Sequence, residues 1–270
     1  MPGVGSNLQD HLMVALNMDL APRTPPNPLI PSWLSLLQGG GPLESNVVPG
    51  LAHVRTLEQD PGDPRPDILV HMVNITMARD RGMVVGQRWW DPNPSHPAGP
   101  EHYEHYIRYS AAFSPMLSRP KSRGTIRLRS ADPFVPPIIQ PNYLSEQQDA
   151  DTLVAGLQLS LKLLNTSAFQ SAGASAWPAD PHCKHLALHS VPYWQCYVRH
   201  HAITVNNPVG TAAMGTVTDS RLRVVGLKGL RVADGSVMPR LVGGHTNAPI
   251  IMIGEKAADI ILQDAKTVHM

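Results

Sequence analysis

Asn207-Pro208-Val209-Gly210-Thr211, Gly229-Leu230-Arg231-Val232-Ala233-Asp234 and Gly243-Gly244-His245-Thr246-Asn247-Ala248-Pro249 carry most of what this chain says about itself. The first is a proline-glycine loop and the second a strand run. The third leads straight into an apolar helical pattern that reaches about Leu262 and reads as interior on most sides. Pro249 falls in its first turn, where a missing N–H goes unnoticed. A histidine in a glycine-bounded loop beside a helix N-terminus is a place where proton chemistry or anion binding can be built. No glycine-rich phosphate-binding fingerprint occurs in the chain.

Working outward, Leu222–Val225 and Leu230–Ala233 read as two short strands around the turn Gly226–Gly229. Leu153, Leu157, Leu161 and Leu164 recur at helical spacing, which predicts a helix over Glu146–Leu164, and Ser145 with Gln148 resembles a capping box. Tyr193–Ile203 reads as a second helix. Gly124–Arg129 alternates Ile126 and Leu128 with Arg127 and Arg129, the pattern of a half-buried strand. Ile68–Met77 is apolar on both faces and reads as a strand buried on both sides. Five prolines between Ala21 and Pro31 break any regular element, Trp33–Leu37 has room for a short helix, and Asp91–Pro100 reads as a loop.

A chain of 270 residues can bury a sizeable core in one large or two modest domains. With 22 Lys plus Arg against 21 Asp plus Glu, the formal charge of +1 supplies no field for nucleic acid or an acidic membrane. No basic leader with an apolar signal stretch follows Met1, and no apolar run is long enough to span a bilayer. Cys183 and Cys196 are the only cysteines, and either a disulfide or two buried thiols would fit them. His182, Cys183, His185 and His189 gather zinc-type ligands. No paired-cysteine or histidine-glutamate helix motif accompanies them, so a disulfide to Cys196 or surface histidines are the favoured readings, with no metal.

Four segments together resemble the glucose–methanol–choline (GMC) oxidoreductases, flavoenzymes that oxidise alcohols. They are Pro2-Gly3-Val4-Gly5-Ser6-Asn7-Leu8-Gln9-Asp10-His11; Ser122–Leu128 continuing to Pro141-Asn142-Tyr143-Leu144; Asn207–Thr211 with Met214-Gly215; and Asp219–Pro239 with His245–Ile250 and Gly254-Glu255-Lys256. The resemblance implies an α+β chain. Residues 1–19 and 201–270 would be pieces of a Rossmann-like FAD domain, and residues 20–200 a substrate domain with a mixed or antiparallel sheet. It also implies that the N-terminal nucleotide-binding half is missing and that the chain matches the C-terminal part of a longer protein. Cys183 and Cys196, with Tyr193-Trp194, look most like the animal glucose dehydrogenase/choline dehydrogenase-like branch, where the pair is bonded and the proteins are often extracellular.

Carried onto this sequence, the family's two active-site positions fall on Asn207 and His245. The family usually has histidine at the first, so Asn207 is a departure. The resemblance then makes His245 the base that takes a hydroxyl proton and Asn207 the orienting donor, since an amide does not accept a proton usefully. Asp234, Gly235, Asn247, Ala248, Pro249 and Asn7 would contact FAD, and a small alcohol would be the substrate, with Trp89-Trp90 and Tyr103–Tyr109 on its side of the pocket. The alternative is an inactive homologue that serves as a binding or interaction module. A fold without its first half would also expose apolar surface for a partner to cover.

Overall fold

The computed structural model describes residues 1–20, 48–73, 110–176 and 180–268. The expectations for 21–47, for Asn74–Met77 and for 78–109, including Trp89-Trp90 and Tyr103–Tyr109, lie outside the described residues.

The elements in chain order are β1 (Leu12–Met13), β2 (Leu16–Asp19), β3 (Gly50–Val54), β4 (Ile68–Val73), β5 (Ser110–Leu117), β6 (Thr125–Arg127), β7 (Ile138–Gln140), α1 (Gln147–Leu164), α2 (Ser167–Ser171), β8 (Ser175–Ala176), α3 (Val191–His201), β9 (Ile203–Thr204) and α4 (Asn247–Val268). A single 3-10 turn, Gly235–Val237, precedes α4. The architecture is α+β. The chain divides into two compact units, one of residues 1–12, 117–150 and 203–270 and the other of 13–116 and 151–202.

The unit of 13–116 and 151–202 is built on an antiparallel sheet. β3 pairs β4 from Gly50↔Met72 to Val54↔Ile68, β5 pairs β2 from Leu16↔Phe113 to Asp19↔Ser110, and β2 pairs β8 at Met18↔Ala176. β4 begins with four buried residues in succession, Ile68 to His71, as a strand covered on both faces must. β5 went unread in the sequence because Pro115 interrupts it and its small residues show no alternation. α1 buries Leu153 and Leu157 completely. Gly156 lets it approach β5, since a Cβ there would stand 2.7 Å from Pro115 Cβ. Cys183 and Cys196 are joined in a disulfide that ties the 180s loop to α3, with Cα atoms 5.9 Å apart.

The other unit holds the small antiparallel pair β6–β7, in register at Ile126↔Ile139. Its core is Val209, Leu222, Val237, Met238, Leu241, Ile253 and Ala257. Three sequence expectations are corrected here. Residues 222–233 form isolated bridges, Arg223↔Arg231 and Thr218↔Val224, and not two strands. Leu222, Gly226 and Gly229 all adopt positive φ, which breaks the extended path. Leu128 is exposed, so the alternation at 124–129 does not mark a buried face. α4 starts earlier and runs longer than the periodicity suggests, 22 residues. Among its residues with described side chains only Ile253, Ala257 and Ile260 are buried, while Ile251, Met252, Ile261 and Leu262 are exposed.

Candidate active site

Gly210 is where the site's first loop turns. Its φ of +96° suits glycine, and a Cβ would stand 2.5 Å from the Asn7 carbonyl oxygen. That close approach lays residues 7–11 along the loop. Gln9 and Val209 exchange backbone hydrogen bonds of 3.0 and 2.9 Å. On its other side the same segment holds the chain leading to His245. Gln9 Nε2 donates to the Pro239 carbonyl at 3.2 Å, and Gln9 Oε1 accepts from Leu241 N at 3.2 Å. Residues 7–11 therefore act as a splint between the 207–210 loop and the 239–242 segment.

Two side chains of the splint complete the anchoring. The buried Asp10 carboxylate accepts from Tyr143 Oη at 2.6 Å, Thr204 Oγ1 at 2.5 Å and Asn207 N at 2.9 Å. Burial, followed by the bond to Asp10, pushes the Tyr143 phenol up to about 12. His11, fully buried, points Nε2 at the carbonyls of Ser118 (3.1 Å) and Val242 (3.0 Å). Carbonyls only accept, so the ring proton sits on Nε2, and His11 Nδ1 has no partner. Burial holds His11 below its ordinary value, against the opposing pull of those carbonyls and of Asp10.

Asn207 and His245, 38 residues apart, meet here: Asn207 Nδ2 lies 3.2 Å from His245 Nδ1. Asn207 is buried and His245 is exposed. The amide's orientation follows from its other end, where Oδ1 accepts from Thr246 Oγ1 at 2.8 Å and more weakly from Thr246 N at 3.4 Å. A backbone N–H can only donate, so Oδ1 belongs on that side and Nδ2–H donates to His245. The neutral imidazole consequently accepts at Nδ1 and carries its proton on Nε2.

Of the residues matched to FAD contacts, Asp234, Asn247 and Ala248 are exposed, and Pro249 is half-buried in the first turn of α4. Asp234 caps the 3-10 turn by accepting from Ser236 N at 2.8 Å. Gly235 is buried, and a Cβ there would stand 3.0 Å from Ile250 Cδ1. Asn7 Nδ2 donates to the Gly210 and Pro239 carbonyls, both at 3.2 Å. Gly235 and the Asn7 side chain are thus engaged inside the protein. The exposed first turn of α4 presents the backbone N–H groups of Asn247 and Ala248 and the positive end of a helix dipole, a donor set that fits an anionic or electron-rich ring system.

Sequence reasoning left out Asp10, Gln9, His11 and Thr246. Gln9, Asp10 and His11 stand in the first segment of the family resemblance and Thr246 in the last, but nothing local shows that residues 9–11 meet residues near 207 and 240.

The family model for GMC oxidoreductases matches residues 120–254, half of the chain. The chain belongs to the GMC oxidoreductase family. Alcohol dehydrogenase [acceptor] of Pseudomonas putida is 33% identical over 97% of this chain and 45% of its own length. Glucose dehydrogenase [FAD, quinone] of Drosophila melanogaster is 32% identical over 97% of this chain and 41% of its own length. Among solved structures, formate oxidase from Aspergillus oryzae superposes with a TM-score of 0.75 at 24% identity, over 98% of this chain and 48% of that one, a likeness of fold. The chain spans less than half the length of the curated relatives named here.

Proposed function

We propose that these residues supply the substrate side of an FAD-dependent oxidoreductase acting on the CH–OH group of a small donor: an alcohol, a sugar or a choline-like compound. The observation that carries it is the contact of Asn207 with His245 beside the first turn of α4. Bound FAD would supply the hydride-acceptor chemistry. Asp234, Asn247 and Ala248 are the residues that would hold it, with the α4 N-terminus favouring negative charge on the reduced ring. His245 meets the substrate oxygen. Asn207 holds the imidazole in place, and Thr246 and Asp10 hold Asn207.

The tautomer refines the role of each. With Nε2 protonated, His245 donates to the substrate oxygen and stabilises the charge that develops there. To take up the hydroxyl proton at Nε2, the ring must first move its own proton to Nδ1, which forfeits the Asn207 bond at a cost of about 1 kcal/mol. Base action is therefore open to His245 at a small penalty. Asn207→Asp would remove that penalty, because a carboxylate accepts from Nδ1–H.

A second reading, a non-catalytic module that binds a small alcohol or sugar, has the stronger support for these 270 residues taken alone. The named relatives are more than twice as long as the part matched, and asparagine stands where the family usually has histidine. The disulfide and the resemblance behind it favour the animal branch and an extracellular setting.

Desalting the purified chain after incubation with FAD, then assaying an alcohol panel with an artificial acceptor, tests both readings. Retained visible flavin absorbance with turnover that falls at least about a hundredfold in His245→Ala supports the enzyme reading. A colourless protein that still binds an alcohol or sugar by calorimetry supports the module. Neither colour nor binding would end both.

A further inference from the structure

The geometry points to a binding site for a divalent first-row transition metal of the zinc type, made by Asp180, His182 and His201. It would tie the 180s loop to the end of α3. All three belong to the unit of 13–116 and 151–202, so the site does not depend on the function proposed above. His201 Nε2 lies 2.8 Å from Asp180 Oδ2, His182 Nδ1 lies 3.1 Å from Asp180 Oδ1, and the three ligand atoms are all within 4.8 Å of one another. In a tetrahedral zinc site, donors about 2.0–2.2 Å from the ion stand roughly 3.3 Å from each other. The two Asp180–histidine separations lie close to that value, and the bound of 4.8 Å on the set means that the remaining pair has at most about 1.5 Å to close around an ion.

The surroundings hold those donors in place. Asp180 N donates to Tyr193 Oη at 3.0 Å, and Asp180 Oδ1 accepts from His182 N at 2.8 Å, which fixes the carboxylate's position. The His201 ring stacks on Tyr197, centroids 4.4 Å apart, and the His182 ring stacks on His200 at 5.0 Å. Such supporting contacts are what keep metal ligands aimed. The Cys183–Cys196 disulfide lies between the two histidines in sequence and pins the loop to the helix that carries His201. Two imidazoles and one carboxylate suit zinc, copper(II) or iron(II) better than calcium or magnesium, and three protein ligands leave positions for water.

This ligand set differs from the one that sequence spacing suggests. Cys183 is consumed by the disulfide, and His185 and His189 lie outside the cluster. His201 comes from the far end of α3.

The test is calorimetric titration of the purified chain, disulfide intact, with zinc chloride. Metal analysis after gel filtration and thermal melts with and without chelator accompany it. One equivalent of zinc should be retained, with a rise in melting temperature that chelator abolishes. His182→Ala replaces a largely exposed side chain and should fold normally, yet weaken zinc binding by roughly tenfold or more. Asp180→Asn should do the same, and exposed His185→Ala should leave binding unchanged. Absence of retained zinc in the parent chain, or His182→Ala and Asp180→Asn titrating like the parent, would overturn the site.

Discussion

Asp10 gathers donors from three places far apart in the chain, Tyr143, Thr204 and the backbone of Asn207. Asp10→Asn presents an N–H₂ group to donors that need an acceptor, so about 2–3 kcal/mol of stability should be lost, read from the denaturant midpoint. Tyr143 gives a second readout of the same cluster. Its folded value of about 12 lies above the ordinary tyrosine value of about 10, so its contribution is complete below about pH 10 and is lost as pH rises toward 12. Burial also pushes the Tyr193 and Tyr197 phenols up, so phenolate absorbance should lose one titration near pH 12 in Tyr143→Phe while those two still ionise late. At this scale the sequence was only partly informative. Asn207 and His245 could be matched through their flanking motifs, and the two side chains do touch. The cluster beneath them could not be seen, because hydrogen bonds between residues 10, 143, 204 and 207 leave no periodic trace.

Among the elements, α1 was legible because four leucines at helical spacing mark one stripe, of which Leu153, Leu157 and Leu164 are buried, and its bounds fall within a residue of the expectation. The segment 222–233 misled because β-branched residues around a glycine turn look like a hairpin. Positive φ at Leu222, Gly226 and Gly229 is a backbone property that composition does not reveal. α4 was legible in existence and not in environment. Its C-terminal half is held by Asp264, which pairs with both Arg221 and Arg231. Hydrogen bonds from those two arginines hold the Asp264 carboxyl down at about 2. Folded below unfolded means that this contribution is present above about pH 4 and is lost as pH falls toward 2. In acid unfolding followed by circular dichroism, Asp264→Asn should therefore flatten the loss of stability between pH 4 and 2.

For the molecule as a whole, Ile251, Met252, Ile261 and Leu262 on α4, with Val225, Leu227 and Leu230 in the neighbouring loop, leave apolar side chains about half exposed or more. Scattered apolar residues are ordinary on a protein surface, but several on one helix and its adjoining loop are a liability. The isolated chain should self-associate or require a covering partner, and light scattering after size exclusion should show species heavier than a 29.4 kDa monomer. A monodisperse monomer with a reversible thermal transition would contradict this.

The splint formed by residues 7–11 also sets an order of events during biosynthesis. Asn7 and Gln9 reach partners 232 and 230 positions downstream. At translation speeds of about 5–20 residues per second, the early segment waits roughly 10 to 50 s before its partners leave the ribosome. The corner that holds Asn207 and His245 therefore waits for residue 239 to emerge, and a nascent chain stalled before it would hold a polar ribbon with nothing to brace.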